Sequence, residues 1–177
     1  MASTGSMWWV TPLECLTVIA SGTMFGGSGL LSPIVSPMLE NVDVPVKYRA
    51  KQVRQFLQSA EHIFPPTNAL STVSNLALLL AAYLKRNQLS GALLHSRRIP
   101  IAVAFGFNVL TTVYTLTVMV PKNNRLRDLS ARLETNPDDK AVGAEFEAAQ
   151  KTWTFYAGFR AALMLGATIG AVWALTY

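Results

Sequence analysis

The sequence predicts an all-α integral membrane protein, a bundle of four spanning helices that forms a single domain over residues 1–177. Hydrophobic residues make up 51% of the chain and charged residues only 14%, whereas soluble domains average about 25% charged residues. The charges also fall into patches that long uncharged runs separate. This composition excludes a disordered chain, a coiled coil and a typical soluble enzyme.

Four runs are about as long as the roughly 20 apolar residues that a helix needs to cross a bilayer. They cover about residues 7–31, 66–84, 99–120 and 153–177. Because a backbone inside hydrocarbon must satisfy its own hydrogen bonds, each run is predicted to be helical. The first span carries Glu14 and the fourth carries Arg160. A signal peptide is the weaker interpretation of the first span, since no Lys or Arg precedes it.

The distribution of Lys and Arg predicts the orientation. Loop one (41–65) holds four of them, loop two (85–98) four and loop three (121–152) six. The positive-inside rule therefore places loops one and three in the cytoplasm and both termini on the opposite side. In a eukaryotic host we expect the endoplasmic reticulum or a vesicle membrane. Since topology explains the basic charge, no nucleic acid partner is expected.

Loops one and three each contain an amphipathic pattern. In loop one, apolar residues alternate with basic ones from Val44 to Ile63, which predicts an interfacial helix that ends before Phe64-Pro65-Pro66. In loop three, three leucines at i, i+3 and i+7 predict a short amphipathic helix. They are Leu126, Leu129 and Leu133. Residues 135–139 are predicted to end that helix, and a second helix over 140–151 leads into the fourth span.

Polar residues inside the spans are candidates for function because they are expensive to bury there. At 1.5 Å per residue, Arg160 lies about 10 Å from the cytoplasmic end of its span, Tyr114 about 9 Å and Asn75 about 13 Å. Together these groups predict a polar pocket in the cytoplasmic half of the bundle. Its candidate residues are Ser28, Asn68, Asn75, Asn108, Tyr114 and Arg160, with His62 just outside it. For each asparagine the alternative is a hydrogen bond that only joins two helices.

Arg160 is the most demanding of these residues, because a guanidinium at that depth needs an anion, a cluster of carbonyl groups or a ligand. Glu14 is about 25 Å from the cytoplasmic end of span one, so it is not predicted to be the partner. We expect it to snorkel or to be protonated at the opposite interface. His62 suits general-base catalysis near neutral pH, or is an ordinary interfacial histidine.

Two glycine patterns predict close helix packing, and with it a possible homo-oligomer. They are Gly22-x-x-x-Gly26 and Gly166-x-x-x-Gly170. The single cysteine, Cys15, excludes an intrachain disulfide and a CxxC motif. The sequence shows no nucleotide-binding loop and no cluster of His, Asp and Glu suited to a metal, so neither a cofactor nor a metal is predicted.

Four motifs follow one another in a characteristic order. The Gly-rich end of span one precedes Ser32-Pro33 and Pro37, and an aromatic-containing helix leads from Phe56 to Pro65-Pro66. Span three ends in the segment Pro121-Lys122-Asn123-Asn124-Arg125-Leu126, and Trp153 precedes Arg160 by seven residues. In this order they resemble the anthrone oxygenase-like membrane proteins of fungal polyketide clusters and their bacterial relatives. The chain departs from that pattern at Phe56 and Leu57, where a Trp–Tyr pair is expected.

The resemblance implies that O₂ oxidises an anthrone to an anthraquinone, with no flavin, haem or metal. The partners would be a flat aromatic polyketide, O₂ and the lipid bilayer. On this hypothesis His62 removes the benzylic proton and Arg160 stabilises the developing oxyanion. Whether the base is His62, or the substrate phenolate with water, stays open. The candidates for substrate binding are Ser28, Asn68, Asn75, Asn108, Tyr114 and Tyr156.

Three alternatives belong to other classes. A tetraspan scaffold, or an accessory subunit of a membrane complex, would have no reason to gather polar groups at one depth. A membrane enzyme like the glutathione transferases would need more arginines and acidic residues in its spans than Arg160 alone. A lipid or sterol isomerase would need more carboxylates there than Glu14.

Overall fold

The computed structural model describes residues 8–41, 43–84 and 94–176, and within these ranges every regular element is helical. This confirms the all-α prediction. The helices are α1 Val10–Gly29, α2 Ser36–Leu39, α3 Val46–Leu84, α4 Arg98–Tyr114, α5 Val120–Thr135 and α6 Lys140–Thr176. Two π-helical turns, Leu31–Val35 and Thr115–Met119, precede α2 and α5. Some parts of the predictions lie outside the described residues. They are the start of the first predicted span, most of loop two, the side chains of Ser32 and Pro33, and Tyr177.

Three of the described helices are long and apolar enough to cross a membrane, and they make this a membrane protein. They are α3, the continuous helix Arg98–Thr135 that comprises α4 and α5, and α6. Helix α1 has 20 residues but is not among the three, since Glu14 and many Gly, Ser and Thr residues dilute its apolar content. The first predicted span, residues 7–31, therefore stays a prediction.

The amphipathic segments of loops one and three continue the spanning helices instead of forming separate ones. Helix α3 runs through Phe64-Pro65-Pro66 without a break, so the predicted end there is wrong. Proline fixes φ near the helical value of about −65°, and two prolines remove only two backbone donors. Likewise, Pro121 does not end span three, because it lies in the first turn of α5, where proline is tolerated. The break after Thr135 is confirmed, since α6 begins at Lys140.

The contacts divide the chain into two compact units. Unit one comprises Met1–Phe25, Pro66–Thr111 and Leu163–Tyr177, and unit two comprises Gly26–Pro65 and Thr112–Ala162. The buried core of unit one draws on α1, α3, α4 and α6. It contains Val10, Leu78, Ala81, Ala82, Leu94, Ile101 and Ala174.

One of the two glycine patterns packs helices within unit one as predicted. A Cβ atom at Gly170 would lie 2.8 Å from the backbone nitrogen of Ala104, and one at Gly166 would lie 2.7 Å from the ring of Phe107. These glycines therefore allow α6 to approach α4 closely. A Cβ atom at Gly22 or Gly26 would meet nothing within 4 Å, so this pattern makes no such contact among the described residues.

An ion pair accounts for Glu14. Its carboxylate accepts hydrogen bonds from Arg97 Nη1 at 3.0 and 3.2 Å, and its side chain is 1% exposed. The alternative that Glu14 snorkels is thus wrong, because its side chain is buried beside Arg97; the alternative that it is protonated stays a prediction. Arg97 directly precedes α4, on the side of the membrane where the predicted topology also places Glu14. A buried carboxylate is stable only when a cation pairs with it, which explains why Glu14 lies beside Arg97.

Unit two is held by an apolar core between the parts of α3, α5 and α6 that belong to this unit. The three leucines of the predicted amphipathic pattern, Leu126, Leu129 and Leu133, are at most 2% exposed. Their apolar face therefore packs against protein, together with Val53, Leu57, Val142 and Phe146. Ion pairs surround this core: Arg49–Glu147, Arg54–Glu134, Arg125–Glu145 and Arg127–Glu61.

Candidate functional site

The side chain of Arg160 is buried in unit two. Its residue is 6% exposed, and its guanidinium carbon lies 5.3 Å from the centroid of the Phe64 ring. The Nε atom is buried and has no hydrogen-bond partner among the residues that the structure describes. Within residues 8–41, 43–84 and 94–176, no carboxylate forms an ion pair with it. Of the partners that the sequence analysis allowed (an anion, a cluster of carbonyl groups or a ligand), a carboxylate is therefore not supplied by the described part of the chain.

Trp153 fixes the orientation of the helix that carries Arg160. Its indole Nε1 donates a hydrogen bond to Asn123 Oδ1 at 2.7 Å, and its ring meets Phe56 edge-on at 6.1 Å. Seven residues are two helical turns, so Trp153 and Arg160 lie on the same face of α6. The Trp-x₆-Arg spacing thus has a physical meaning: the anchored indole turns the guanidinium towards the interior of the protein.

Phe64 lies between Arg160 and the end of α1. A Cβ atom at Gly27 would lie 3.0 Å from Phe64 Cε1, so only glycine lets α1 approach this ring so closely. The next residue, Ser28, is 2% exposed, and its hydroxyl has no hydrogen-bond partner. Two buried polar groups near the Phe64 ring, Ser28 Oγ and Arg160 Nε, therefore have unused hydrogen-bonding capacity.

Two tyrosines lie between Arg160 and Lys122 in unit two. The hydroxyl of Tyr114 donates a hydrogen bond to the backbone carbonyl of Tyr156 at 2.9 Å, and Tyr156 lies four residues, about one helical turn, before Arg160 on the same face of α6. The ammonium group of Lys122 lies 4.0 Å from the centroid of the Tyr156 ring. Lys122, Tyr156, Tyr114 and Arg160 thus form a continuous row, which we call the Lys122–Arg160 row. Sequence analysis did not single out Lys122, which it counted only for topology and for the exit motif of span three.

Two open clefts lie in unit two. The smaller has a volume of about 330 Å³ and is lined by Pro121, Lys122, Arg125, Ala148, Ala149 and Thr152. The larger, of about 510 Å³, is lined mainly by polar and basic residues of α3 and α5. None of the predicted site residues lines either cleft. The smaller cleft nevertheless adjoins the Lys122–Arg160 row, because Lys122 belongs to both.

His62 is not brought together with Arg160. It is exposed, and its Nδ1 is hydrogen-bonded to the backbone carbonyl of Gln58 at 2.8 Å. It lies two positions before Phe64 along α3, and two positions correspond to a rotation of about 200° about the helix axis. Because Phe64 faces Arg160, His62 points towards the opposite side of α3. Its role as the base stays a prediction.

The three predicted asparagines lie in unit one. Asn108 Nδ2 donates to Ser71 Oγ at 2.9 Å, which joins α4 to α3 as the helix-packing interpretation predicts. Asn75 is 1% exposed, and its Nδ2 has no partner. Asn68 is partly buried, and its backbone carbonyl accepts a hydrogen bond from Thr72 at 2.7 Å. Since the other predicted site residues lie in unit two, a pocket shared by all of them stays a prediction.

Comparison with known protein families gives one match. A family model described as anthrone oxygenase matches residues 54–170. The matched region begins in the first third of α3 and ends in α6, so it includes Phe64 and the whole Lys122–Arg160 row. No curated protein and no solved structure matches the chain.

Proposed function

Because the chain belongs to the anthrone oxygenase family, we propose that it oxidises an anthrone-type tricyclic polyketide to the corresponding anthraquinone with O₂. The observation that carries the proposal is the buried guanidinium of Arg160. It has an unpartnered nitrogen and rests on an aromatic ring. Such a group is suited to an anion that forms on a flat aromatic substrate.

The chemistry needs only the substrate and O₂. An anthrone carries a CH₂ group between two aromatic rings, opposite a ketone. Loss of one proton gives an anion whose charge is delocalised onto the ketone oxygen. This anion transfers one electron to O₂, and the resulting radical and superoxide combine at the former CH₂ carbon. Loss of the remaining hydrogen with the distal peroxide oxygen releases water and leaves the second carbonyl, so CH₂ and O₂ become C=O and H₂O.

In this reaction Arg160 stabilises the anion. As the proton leaves, negative charge builds up on the ketone oxygen, and a buried guanidinium stabilises that charge more strongly than water does. Phe64 offers a flat apolar face beside the cation, which suits the tricyclic ring system. Deprotonation is the slow step for a carbon acid, so stabilising its anion accelerates the whole sequence.

The remaining candidates orient the substrate or accept the proton. The unpartnered hydroxyl of Ser28 is free to donate to a substrate phenol or carbonyl, and Tyr114 and Tyr156 line the path to Arg160. We propose the same orienting role for Asn68, Asn75 and Asn108. The proton goes to His62, or to the substrate phenolate and water. We further propose four spans with loops one and three in the cytoplasm, and a homo-oligomer formed through Gly22 and Gly26.

The test is oxygen uptake by detergent-purified, metal-stripped protein supplied with emodin anthrone, measured against the autoxidation blank. We expect uptake above the blank, one O₂ consumed per anthraquinone formed, and ¹⁸O from labelled O₂ in the new carbonyl. Catalase should return no O₂, since water rather than hydrogen peroxide is the second product. Uptake equal to the blank, with protein that circular dichroism shows to be folded, would refute the proposal.

A further inference from the structure

The smaller cleft of unit two has the composition of a site for an aromatic anion. Its charged groups are Lys122 and Arg125, and no carboxylate lines it. Its other walls are Pro121, two alanines and Thr152, which are small and mainly apolar. A volume of about 330 Å³ is at the lower end of the roughly 300–1,000 Å³ that ligand pockets occupy. The cleft is therefore large enough for one edge of a planar ligand.

Both cations of the cleft have unused capacity for an anion. Lys122 forms no ion pair within the described part of the chain; instead its ammonium group is positioned over the Tyr156 ring at 4.0 Å. Arg125 Nη2 lies 3.2 Å from Glu145 Oε1, but the side chains of Arg125 and Glu145 are 65% and 42% exposed. Exposed pairs of this kind contribute only about 0–1 kcal/mol. An incoming carboxylate or phenolate can therefore compete for Arg125.

The position of the cleft connects it to the proposed reaction. Pro121 and Lys122 directly follow the predicted third span, and Thr152 directly precedes the predicted fourth. The cleft thus lies where the predicted spans meet the cytoplasm. From Lys122 the Lys122–Arg160 row leads inwards through the two tyrosines to the guanidinium beside Phe64. A flat ligand held at Lys122 has a tyrosine ring beside it and Arg160 at the far end of the row.

We propose that this cleft binds the anionic substituent, an ionised phenol or a carboxylate, of the planar aromatic substrate as it enters from the cytoplasmic interface. The ligand class rests on the proposed function, because the ligand is the substrate of that reaction. Lys122 and Arg125 would thereby select acidic, oxygen-rich polyketides over neutral aromatic hydrocarbons. The cleft is thus a specificity site, separate from the oxyanion site at Arg160.

The test measures binding without turnover. Full-length protein in nanodiscs of zwitterionic lipid is dialysed to equilibrium against anthraquinone-2-carboxylate and, separately, against neutral 2-methylanthraquinone. We expect the wild type to bind the carboxylate about tenfold more tightly, which corresponds to about 1.4 kcal/mol. Lys122→Gln and Arg125→Gln should each lose most of this preference and leave binding of the neutral ligand unchanged, whereas Lys122→Arg should keep it. The matched control is Lys151→Gln, which removes an exposed lysine beside Thr152 that does not line the cleft.

Two results would overturn the inference. The first is equal affinity of the wild type for the two ligands, or a preference that Lys122→Gln leaves intact. The second is loss of the carboxylate preference when phosphatidylglycerol replaces part of the zwitterionic lipid, since the cleft would then be a lipid headgroup site. Oxygen uptake with emodin anthrone is scored separately. If it persists while the binding preference is absent, the specificity site fails and the proposed function stands.

Discussion

Replacing Arg160 with methionine should separate activity from stability. Methionine keeps an unbranched apolar stem and lacks the guanidinium with its charge and N–H donors. The guanidinium rests on Phe64, a contact that contributes about 0.5–2 kcal/mol. Its buried Nε has no partner, and an unsatisfied buried group of this kind costs about 1–3 kcal/mol. The free energy lost with the Phe64 contact is thus about equal to the free energy gained by removing the unsatisfied nitrogen. We therefore expect the thermal unfolding temperature of Arg160→Met to equal or exceed that of the wild type.

The effect on catalysis should be much larger. Removing one group that stabilises a developing oxyanion lowers kcat by about 10²–10³-fold. The assays are oxygen uptake with emodin anthrone and thermal unfolding followed by tryptophan fluorescence, in the same detergent. Arg160→Lys is the matched control, which keeps the positive charge and should retain part of the activity. Should Arg160→Met keep kcat within about threefold of the wild type, less than 1 kcal/mol of the barrier, the oxyanion role of Arg160 would be wrong.

Three further predictions follow from single contacts. His62→Ala should lower kcat less than about tenfold, because His62 points away from Phe64; a loss as large as that of Arg160→Met would make it the base. Gly170→Leu should reduce the yield of folded protein, because a Cβ there would lie 2.8 Å from a backbone nitrogen, whereas Gly22→Leu, with nothing within 4 Å inside the described chain, should leave the yield of folded protomer unchanged and affect only the proposed homo-oligomer; equal yields of the two folded variants would contradict this. Glu14→Gln should destabilise the protein by about 3 kcal/mol, since it leaves the partly buried Arg97, whose side chain is 17% exposed, without its counter-charge, and a denaturation curve that does not shift would count against the ion pair.

Much of the fold could be predicted from hydropathy, because three of the predicted spans lie within long apolar helices. The errors concern where helices end. Pro65-Pro66 predicted a break, yet α3 continues through it, because the core of unit two and the buried face around Ser71 hold the helix on both sides of the pair. Local propensity gave the wrong result where tertiary packing decided the outcome. The break at residues 135–139, an exposed stretch where no packing opposes the turn residues, was predicted correctly.

The candidate site was predictable only for residues whose depth within a predicted span was informative. Counting residues along a helix placed Arg160 inside the bundle and excluded Glu14 as its partner. It did not identify the partner that Glu14 has, although Arg97 lies on the predicted far side of the membrane as Glu14 does. Phe64 was also missed as a contact of Arg160, because the pattern assigned it to the end of an interfacial helix. Contacts between helices depend on their rotation about their own axes, which depth along the chain does not specify.

The π-helical turn Thr115–Met119 sets one such rotation within unit two. Nine residues separate Tyr114 from Asn123, so in an uninterrupted α-helix the two side chains would point about 180° apart. A π turn accommodates one extra residue, which reduces this angle to about 80°. Both side chains can then reach the same helix, Tyr114 at Tyr156 and Asn123 at Trp153. The number of residues in this turn, more than their identity, keeps the two contacts in phase. Deleting one of them should therefore do more damage than substituting any.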